Sequence, residues 1–552
     1  MLLPGLVSNV SHVPASHAAT SCVAAAHVAL WSVAVVFKRP SGLDAWLVSA
    51  ALLVATGVSG VRWIRVAQRE HYGHDACGRF AMRWWLSTPV NAALVVIALA
   101  GLVLSARYAY AGVGVAVVVG VGPVGLTLRG RTSPLRWTRR AKTLAAVWVC
   151  LQCIVFVVGI GIDDLVALSA AGALLVPVLV DVADTVVAPV ERWASSKYVA
   201  TASGRLRRVR PFVVAITGSY GKTSTKNHVV DLVGASKSVV ASPASFNNRA
   251  GLARTVNESL SEGSEVLVAE MGTYAPGEIA ELCGWCPPDV AVITQIGPVH
   301  LERFGSEDRI VEAKAEIARS APVVVLNTDN PRLRALGEQL ALRGGSQRVI
   351  RCSTSETAAD VCVVREDGSS EVTLWLNAEI VGTAGPVSPG VQESNVACAV
   401  AVALEVGLTG ETILERIGGL REVPNRLVSV TSESGVTVID DTFNSNPAGA
   451  RAAVGVLSRT TSTGRRVVVT PGMVEMGKRQ FQENKEFAVE AARVATDLVV
   501  VGRTNRRALL AGAGSLRPVS VPTREEAVRW VKSTLVSGDA VLYENDLPDH
   551  YP

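Results

Sequence analysis

With 552 residues the chain is too long for one hydrophobic core, so roughly two to four domains are expected. Hydrophobic residues make up 49%, charged residues 18%, and the mean hydropathy is +0.33, a balance that excludes an ordinary, wholly soluble protein. The net charge of +5 is carried partly by short Arg-rich loops with little aromatic interleaving, which excludes nucleic acid as the main partner and suits the positive-inside pattern of a membrane protein.

Residues 1–190 carry six apolar stretches, at about 20–37, 44–61, 89–106, 109–127, 143–161 and 165–182, each near the roughly 20 residues that a spanning helix needs. No basic segment follows Met1, so no cleaved signal peptide is expected. Arg62, Arg65, Arg69, Arg79 and Arg83 fall between the second and third stretches, and Arg129, Arg131, Arg136, Arg139, Arg140 and Lys142 between the fourth and fifth. An even number of spans puts both basic loops, the N-terminus and everything after residue 190 on the cytoplasmic side of the cell membrane. Lys38 and Arg39 alone dissent. Asp181 and Asp184, near the end of the sixth stretch, read as interface residues or intramembrane acids. Residues 191–210, with Arg205, Arg207, Arg208 and Arg210, read as a basic linker suited to anionic lipid headgroups.

From Pro211 short apolar runs alternate with helical patterns: 212–217, 266–269, 290–296, 323–326, 436–440, 467–470, 498–501 and 541–544. Strands separated by helices predict parallel sheets in an α/β architecture. Residues 350–383 read as a β-rich insertion, and a boundary near Pro424 divides a domain at 211–423 from one at 424–552. The nine cysteines form no paired framework, and Cys283 and Cys286 have redox-like spacing without a second pair to complete a zinc site.

Chemistry gathers after the first of these strands, in Thr217-Gly218-Ser219-Tyr220-Gly221-Lys222-Thr223-Ser224. Glycines there let backbone N–H groups curl toward phosphate oxygens, and the helix that follows adds its dipole. Lys222 would neutralise β- and γ-phosphate charge, and the Thr223 hydroxyl would bind Mg²⁺. Ile216 stands where the longer form of this loop has glycine, so the loop is a shortened variant. Glu270 ends the next core strand and His300 follows the one after, so both can converge on the loop, where ligands of such sheets collect. Mg²⁺ prefers oxygen, which makes His300 an auxiliary or second-ion ligand.

The loop is joined in order by Glu270-Met271-Gly272, His300-Leu301-Glu302-Arg303-Phe304-Gly305-Ser306, Ala313–Ile317, Asp440–Pro447, Pro471–Gly477 and Tyr543–Asp549. Over residues 211–552 this series resembles the Mur ligase family, and within it the members that add D-alanyl-D-alanine to a UDP-muramoyl tripeptide. The resemblance implies an ATP-binding central domain, a Rossmann-like C-terminal domain, and an ATP-dependent carboxylate–amine ligase that works through an acyl phosphate in peptidoglycan synthesis. It implies that Gly218, Ser219, Gly221, Lys222, Thr223 and Ser224 hold phosphates. Thr223, Glu270, His300 and a carbamylated Lys314 would hold Mg²⁺, while Asn395, Arg426 and Asp441 would contact adenine, phosphate and ribose. Asn247 and Asn248 match a paired asparagine near the active site. Two departures stand out: a helical region replaces the UDP-holding N-terminal domain, and Val391 stands where close relatives have His. A ligase for another polymer such as poly-γ-glutamate, or a nucleotide-sensing membrane protein without catalysis, are the alternatives. Intact Lys222, Glu270, His300 and Lys314 speak against the latter.

Overall fold

The computed structural model describes residues 42–552 except 74, 131–133, 244–245, 343–345, 367, 389, 422–426, 443–444 and 548–549. The apolar stretch expected at 20–37, with Lys38 and Arg39, therefore lies outside the described residues, as does Arg426. The chain divides into two compact units, one of Met1–Val190 with Pro548–Pro552, the other of Glu191–Leu547.

Among the described residues of the first unit, two helices are long and apolar enough to cross a membrane, Leu43–Arg69 and Arg139–Gly161. Two bent pairs, Ala76–Leu86 with Pro89–Ser105 (111°) and Leu165–Leu174 with Val176–Val209 (74°), raise that to four if each pair counts as one span. Among the described residues, not every expected stretch forms one straight helix of spanning length. The stretch at 109–127 yields only Ala111–Val121, about 16 Å long, because Pro123 excludes helical geometry at the residue before it. The stretch at 165–182 breaks at Leu175, since Pro177 has no N–H to bond back across the break. Arg79 and Arg83, expected in a loop, sit in the helix Ala76–Leu86.

Arg62 and Arg65 are likewise not loop residues. Both are buried in the last turns of Leu43–Arg69. Arg62 donates to the Gly122 and Gly120 carbonyls, closing the carboxyl end of Ala111–Val121, where cations are favoured, and Arg65 donates to Thr127 O at 2.8 Å in the segment that follows. Asp181 accepts from the amides of Cys77 (3.0 Å) and Gly78 (2.8 Å), capping Ala76–Leu86, and Asp184 pairs with Arg140 at 3.2 Å. The end of the chain packs into the same unit: His550 Nε2 lies 2.7 Å from Glu70 Oε1, Trp84 Nε1 donates to His550 O at 2.6 Å, and Phe80 meets the Tyr551 ring edge-on.

The second unit holds two sheets. The larger has nine strands in the order β2-β3-β1-β4-β5-β6-β7-β8-β9. They are β1 (Phe212–Thr217), β2 (Val239–Ala241), β3 (Val266–Glu270), β4 (Val290–Ile293), β5 (Val323–Asn327), β6 (Arg348–Ser353), β7 (Val361–Val364), β8 (Val372–Leu376) and β9 (Glu379–Ala384). Neighbours are parallel through β7, and β8 and β9 add an antiparallel edge where the β-rich insertion was expected. β1 is buried on both faces. Val214 and Ile216 enter one core with Val229 and Leu232, while Val213 and Ala215 enter the other with Leu252 and Val256, as a period of two requires. Residues 191–209, expected as a linker, continue the helix from Val176, and Val199, Ala202 and Leu206 join that second core.

The smaller sheet runs β10-β11-β15-β12-β13-β14, all parallel except β10 against β11. Its strands are β10 (Val428–Thr431), β11 (Thr437–Asp441), β12 (Arg466–Thr470), β13 (Asp497–Val501), β14 (Arg517–Val521) and β15 (Ala540–Glu544). Beyond β12, the segment Pro471–Gly477 is held by Asn484, whose amide oxygen accepts from Met473 N (2.7 Å) and whose nitrogen donates to Met473 O (2.9 Å).

Candidate active site

β1 lies between β3 and β4, so the turn that leaves it is flanked by the carboxyl ends of both. The turn is pinned to the segment after β4: Ser219 N donates to Gln295 O (2.7 Å), Thr294 Oγ1 to Tyr220 O (2.5 Å), and Gly297 N to Ser219 Oγ (3.1 Å). Two glycines are required by space. A Cβ on Gly218 would meet the Thr294 hydroxyl, and Gly221, at φ +84°, lies against the Asn395 amide. The helix Lys222–Val233 starts there, with Lys222 Nζ folded back on Gly218 O at 2.8 Å.

Register places Glu270 beside Ile216, one residue short of the turn. Its buried carboxylate accepts from Thr223 Oγ1 (2.9 Å) and Asn247 Nδ2 (3.2 Å), with Lys226 Nζ at 3.6 Å. Thr223 and Glu270 thus offer hard oxygen donors side by side, a set that fits Mg²⁺. Among the described residues no group of three His, Cys, Asp or Glu side chains gathers for a metal, so any ion here would also need phosphate or water oxygens.

Lys314 lies in the last turn of the helix Glu307–Ala315 and is almost wholly buried. Burial, then the nearby charge of Lys222, pushes its amine well below the ordinary lysine range. Asn395 is buried against the loop, its amide oxygen accepting from Thr225 Oγ1 at 3.3 Å. Asn248 caps the helix Arg249–Ser259 through Gly251 N, at 2.9 Å.

The other expected residues are placed elsewhere. His300, at φ +59°, turns its Nδ1 to the Glu475 carboxylate, stacks edge-on with Tyr274, and makes no hydrogen bond to Glu270. Asp441 is buried at the end of β11 in the smaller sheet. Cys283 and Cys286 are buried free thiols, pushed up to about 11 and about 12 by burial, which disfavours the free thiolate. Three residues were missed. Lys226 could have been found four residues after Lys222, on one helix face. Thr225 follows directly in the helix, and Glu475 lay inside a quoted motif without a role.

The family models for the Mur ligase middle domain and the Mur ligase glutamate ligase domain match residues 216–403 and 425–543. The UDP-N-acetylmuramoyl-tripeptide–D-alanyl-D-alanine ligase of Mycobacterium tuberculosis is 32% identical over 356 residues, covering 60% of this chain and 69% of the relative. The crystal structure of the MurF ligase from Thermotoga maritima in complex with ADP superposes with a TM-score of 0.53 at 26% identity, over 63% of this chain and 80% of that one. A MurF structure from Acinetobacter baumannii gives 0.56 at 24% identity, over 63% and 77%, and supports the fold alone.

Proposed function

Because the chain belongs to the Mur ligase family and is an ATP-dependent acid–amino-acid ligase of that type, we propose that it joins the carboxylate of a UDP-linked muramoyl peptide to D-alanyl-D-alanine or a similar amine in cell-wall precursor synthesis. The observation that carries this reading is the glycine turn after β1, with the Thr223 hydroxyl bonded to the Glu270 carboxylate across the neighbouring strand end. The relatives' names supply the two substrates.

The chemistry follows from charge. Gly218–Ser224 holds the triphosphate, and Lys222 exchanges its Gly218 carbonyl for phosphate oxygens as the substrate carboxylate attacks the γ-phosphorus, breaking its bond to the bridging oxygen so that ADP leaves and an acyl phosphate forms. Mg²⁺ held by Thr223 and Glu270, with His300 and a modified Lys314 at a second ion, would neutralise charge on the phosphates. Burial, then the charge of Lys222, shifts Lys314 toward the neutral amine that reacts with CO₂, a direction that supports its carbamylation. The incoming amine then displaces phosphate from the acyl phosphate. Asn395 is assigned to adenine, Arg426 to a nucleotide phosphate and Asp441 to ribose, so the two domains share one nucleotide and their closure excludes water from the acyl phosphate.

The reading extends to location. Residues 1–190 form a multi-pass anchor in the cell membrane with the ligase domains in the cytoplasm, a placement supported by the apolar helices Leu43–Arg69 and Arg139–Gly161 and by outward-facing Val103, Ile154 and Val157. The helical unit stands in place of a UDP-holding domain. A carboxylate substrate that is itself membrane-associated fits that exchange.

The test is direct. Purified full-length protein is incubated with ATP, Mg²⁺, UDP-muramoyl tripeptide and D-alanyl-D-alanine, and phosphate release is read beside product mass. The expected result is stoichiometric phosphate and an amide of the summed mass less water. Phosphate release that depends on other acceptors, with no such amide, overturns the substrate assignment.

A further inference from the structure

The segment after β12 is built to present one carboxylate. Met473 and Met476 are buried, Asn505 Nδ2 donates to Pro471 O and Met473 O at 3.0 Å each, and Asn484 clamps both sides of Met473. Between the two methionines Glu475 takes φ +63°, a left-handed conformation that non-glycine residues hold only when their surroundings impose it. Its carbonyl oxygen accepts from Glu302 N at 3.2 Å, and its carboxylate meets His300 Nδ1 and, at 3.5 Å, Arg303 Nη2. Arg303 lies over the Tyr274 ring at 4.8 Å, and the same ring meets His300 edge-on at 5.1 Å, so the imidazole is held on two sides. His300 and Glu475 thus both carry left-handed backbones where they touch, one supplied by each ligase domain.

A carboxylate on Nδ1 fixes the imidazole tautomer and leaves the Nε2 lone pair for an electrophile. Here the orienting group comes from the other domain. We infer that Glu475 is a positioning residue that makes His300 competent to ligate the ion only while the C-terminal domain is docked, so that domain docking and completion of the ion site are one event. The inference rests on His300 being an ion ligand, as proposed above. It gives the enzyme a reason not to assemble a reactive phosphate site before the domain that shields it is in place.

The experiment uses full-length protein with a non-hydrolysable ATP analogue and Mn²⁺, read by electron paramagnetic resonance for affinity and for the imidazole nitrogen signal in the echo spectrum. Glu475→Gly removes the carboxylate while suiting the backbone conformation. It should weaken Mn²⁺ binding by roughly ten- to a hundredfold and diminish the nitrogen signal. His300→Ala should do the same, with no further loss in the double variant. Arg479→Ala removes a flanking pair between the domains, with Glu307, and should leave Mn²⁺ affinity unchanged. Full affinity and nitrogen signal in Glu475→Gly, beside a loss in His300→Ala, overturns the inference and spares the ligand reading. An equal loss in Arg479→Ala also overturns it, since any domain contact would then suffice. Unchanged binding in His300→Ala removes the ligand reading and the inference with it.

Discussion

Both units bury charge, and they do so in different places. In the helical unit, Arg62, Arg65 and Asp181 are spent on backbone groups, on the Gly120 and Gly122 carbonyls and the Cys77 and Gly78 amides at helix ends and on the Thr127 carbonyl in the segment beyond Val121. In the ligase unit, Glu270 and Lys314 are gathered beside the carboxyl ends of parallel strands and the start of the phosphate-loop helix. The first arrangement satisfies the chain's own backbone. The second leaves side chains pointing where a ligand of opposite charge would be welcome. Burial of charge is therefore no functional signal by itself; what the charge is buried against decides. The outer surfaces differ in the same sense. Val96 (66% exposed) and Val103 (74%) face outward from the helical unit, whereas Val214 and Ile216 of the ligase sheet are fully covered.

The largest effect that sharpens this contrast is Lys222→Ala. It should lower ATP turnover by about a thousandfold in a phosphate-release assay. The matched change in the helical unit, Arg62→Met, should reduce the yield of folded protein and leave turnover per folded molecule close to wild type. Loss of turnover in folded Arg62→Met would break the distinction between the two uses of buried charge.

Next in size is Ile154→Arg, on an outward face of Arg139–Gly161. If that face meets lipid, the change costs about 3 kcal/mol, and the membrane-bound yield should fall several-fold against Ile154→Leu. An unchanged membrane fraction would sink the anchor. A smaller effect tests the end of the chain. His550→Ala removes the buried imidazole contact to Glu70 and leaves the Trp84 bond to the backbone carbonyl, so it should cost about 1–3 kcal/mol, seen as a lower unfolding temperature of detergent-solubilised protein.

The same contrast explains what could be read from the residues alone. β1, β3 and β4 announce themselves as Val-rich apolar runs because parallel strands covered on both faces are apolar along nearly their whole length. β2 is three residues long, and β14 begins Arg517-Pro518 at a sheet edge, where half the residues face water, so neither forms an apolar run. Thr223 and Glu270 were legible because the turn and the strand end fix them locally. The Glu475–His300 contact was not, since it joins residues far apart in sequence through two left-handed backbones that no pattern marks. In the helical unit hydropathy located the apolar stretches but not their breaks. Pro123 and Pro177 decide those.

The smallest effect concerns the lysine the site holds against its own preference. Lys314 has a folded pKa below the ordinary 10.5, first from burial and then from Lys222. Below that depressed value both folded and unfolded chains hold the proton, and the folded state bears the full cost of a buried charge. As pH rises from there toward 10.5, the unfolded chain keeps a proton that the folded chain has released, so stability climbs; above 10.5 the cost has gone. Lys314→Met, similar in length and without charge, should therefore raise the unfolding temperature in CO₂-free buffer near pH 7 by about 2–4 °C. The gain should shrink as pH approaches 10.5, and ligase activity should be lost. A variant less stable than wild type at pH 7 would show that Lys314 is held by a counter-charge, and the neutral amine that supports its carbamylation would have to be abandoned.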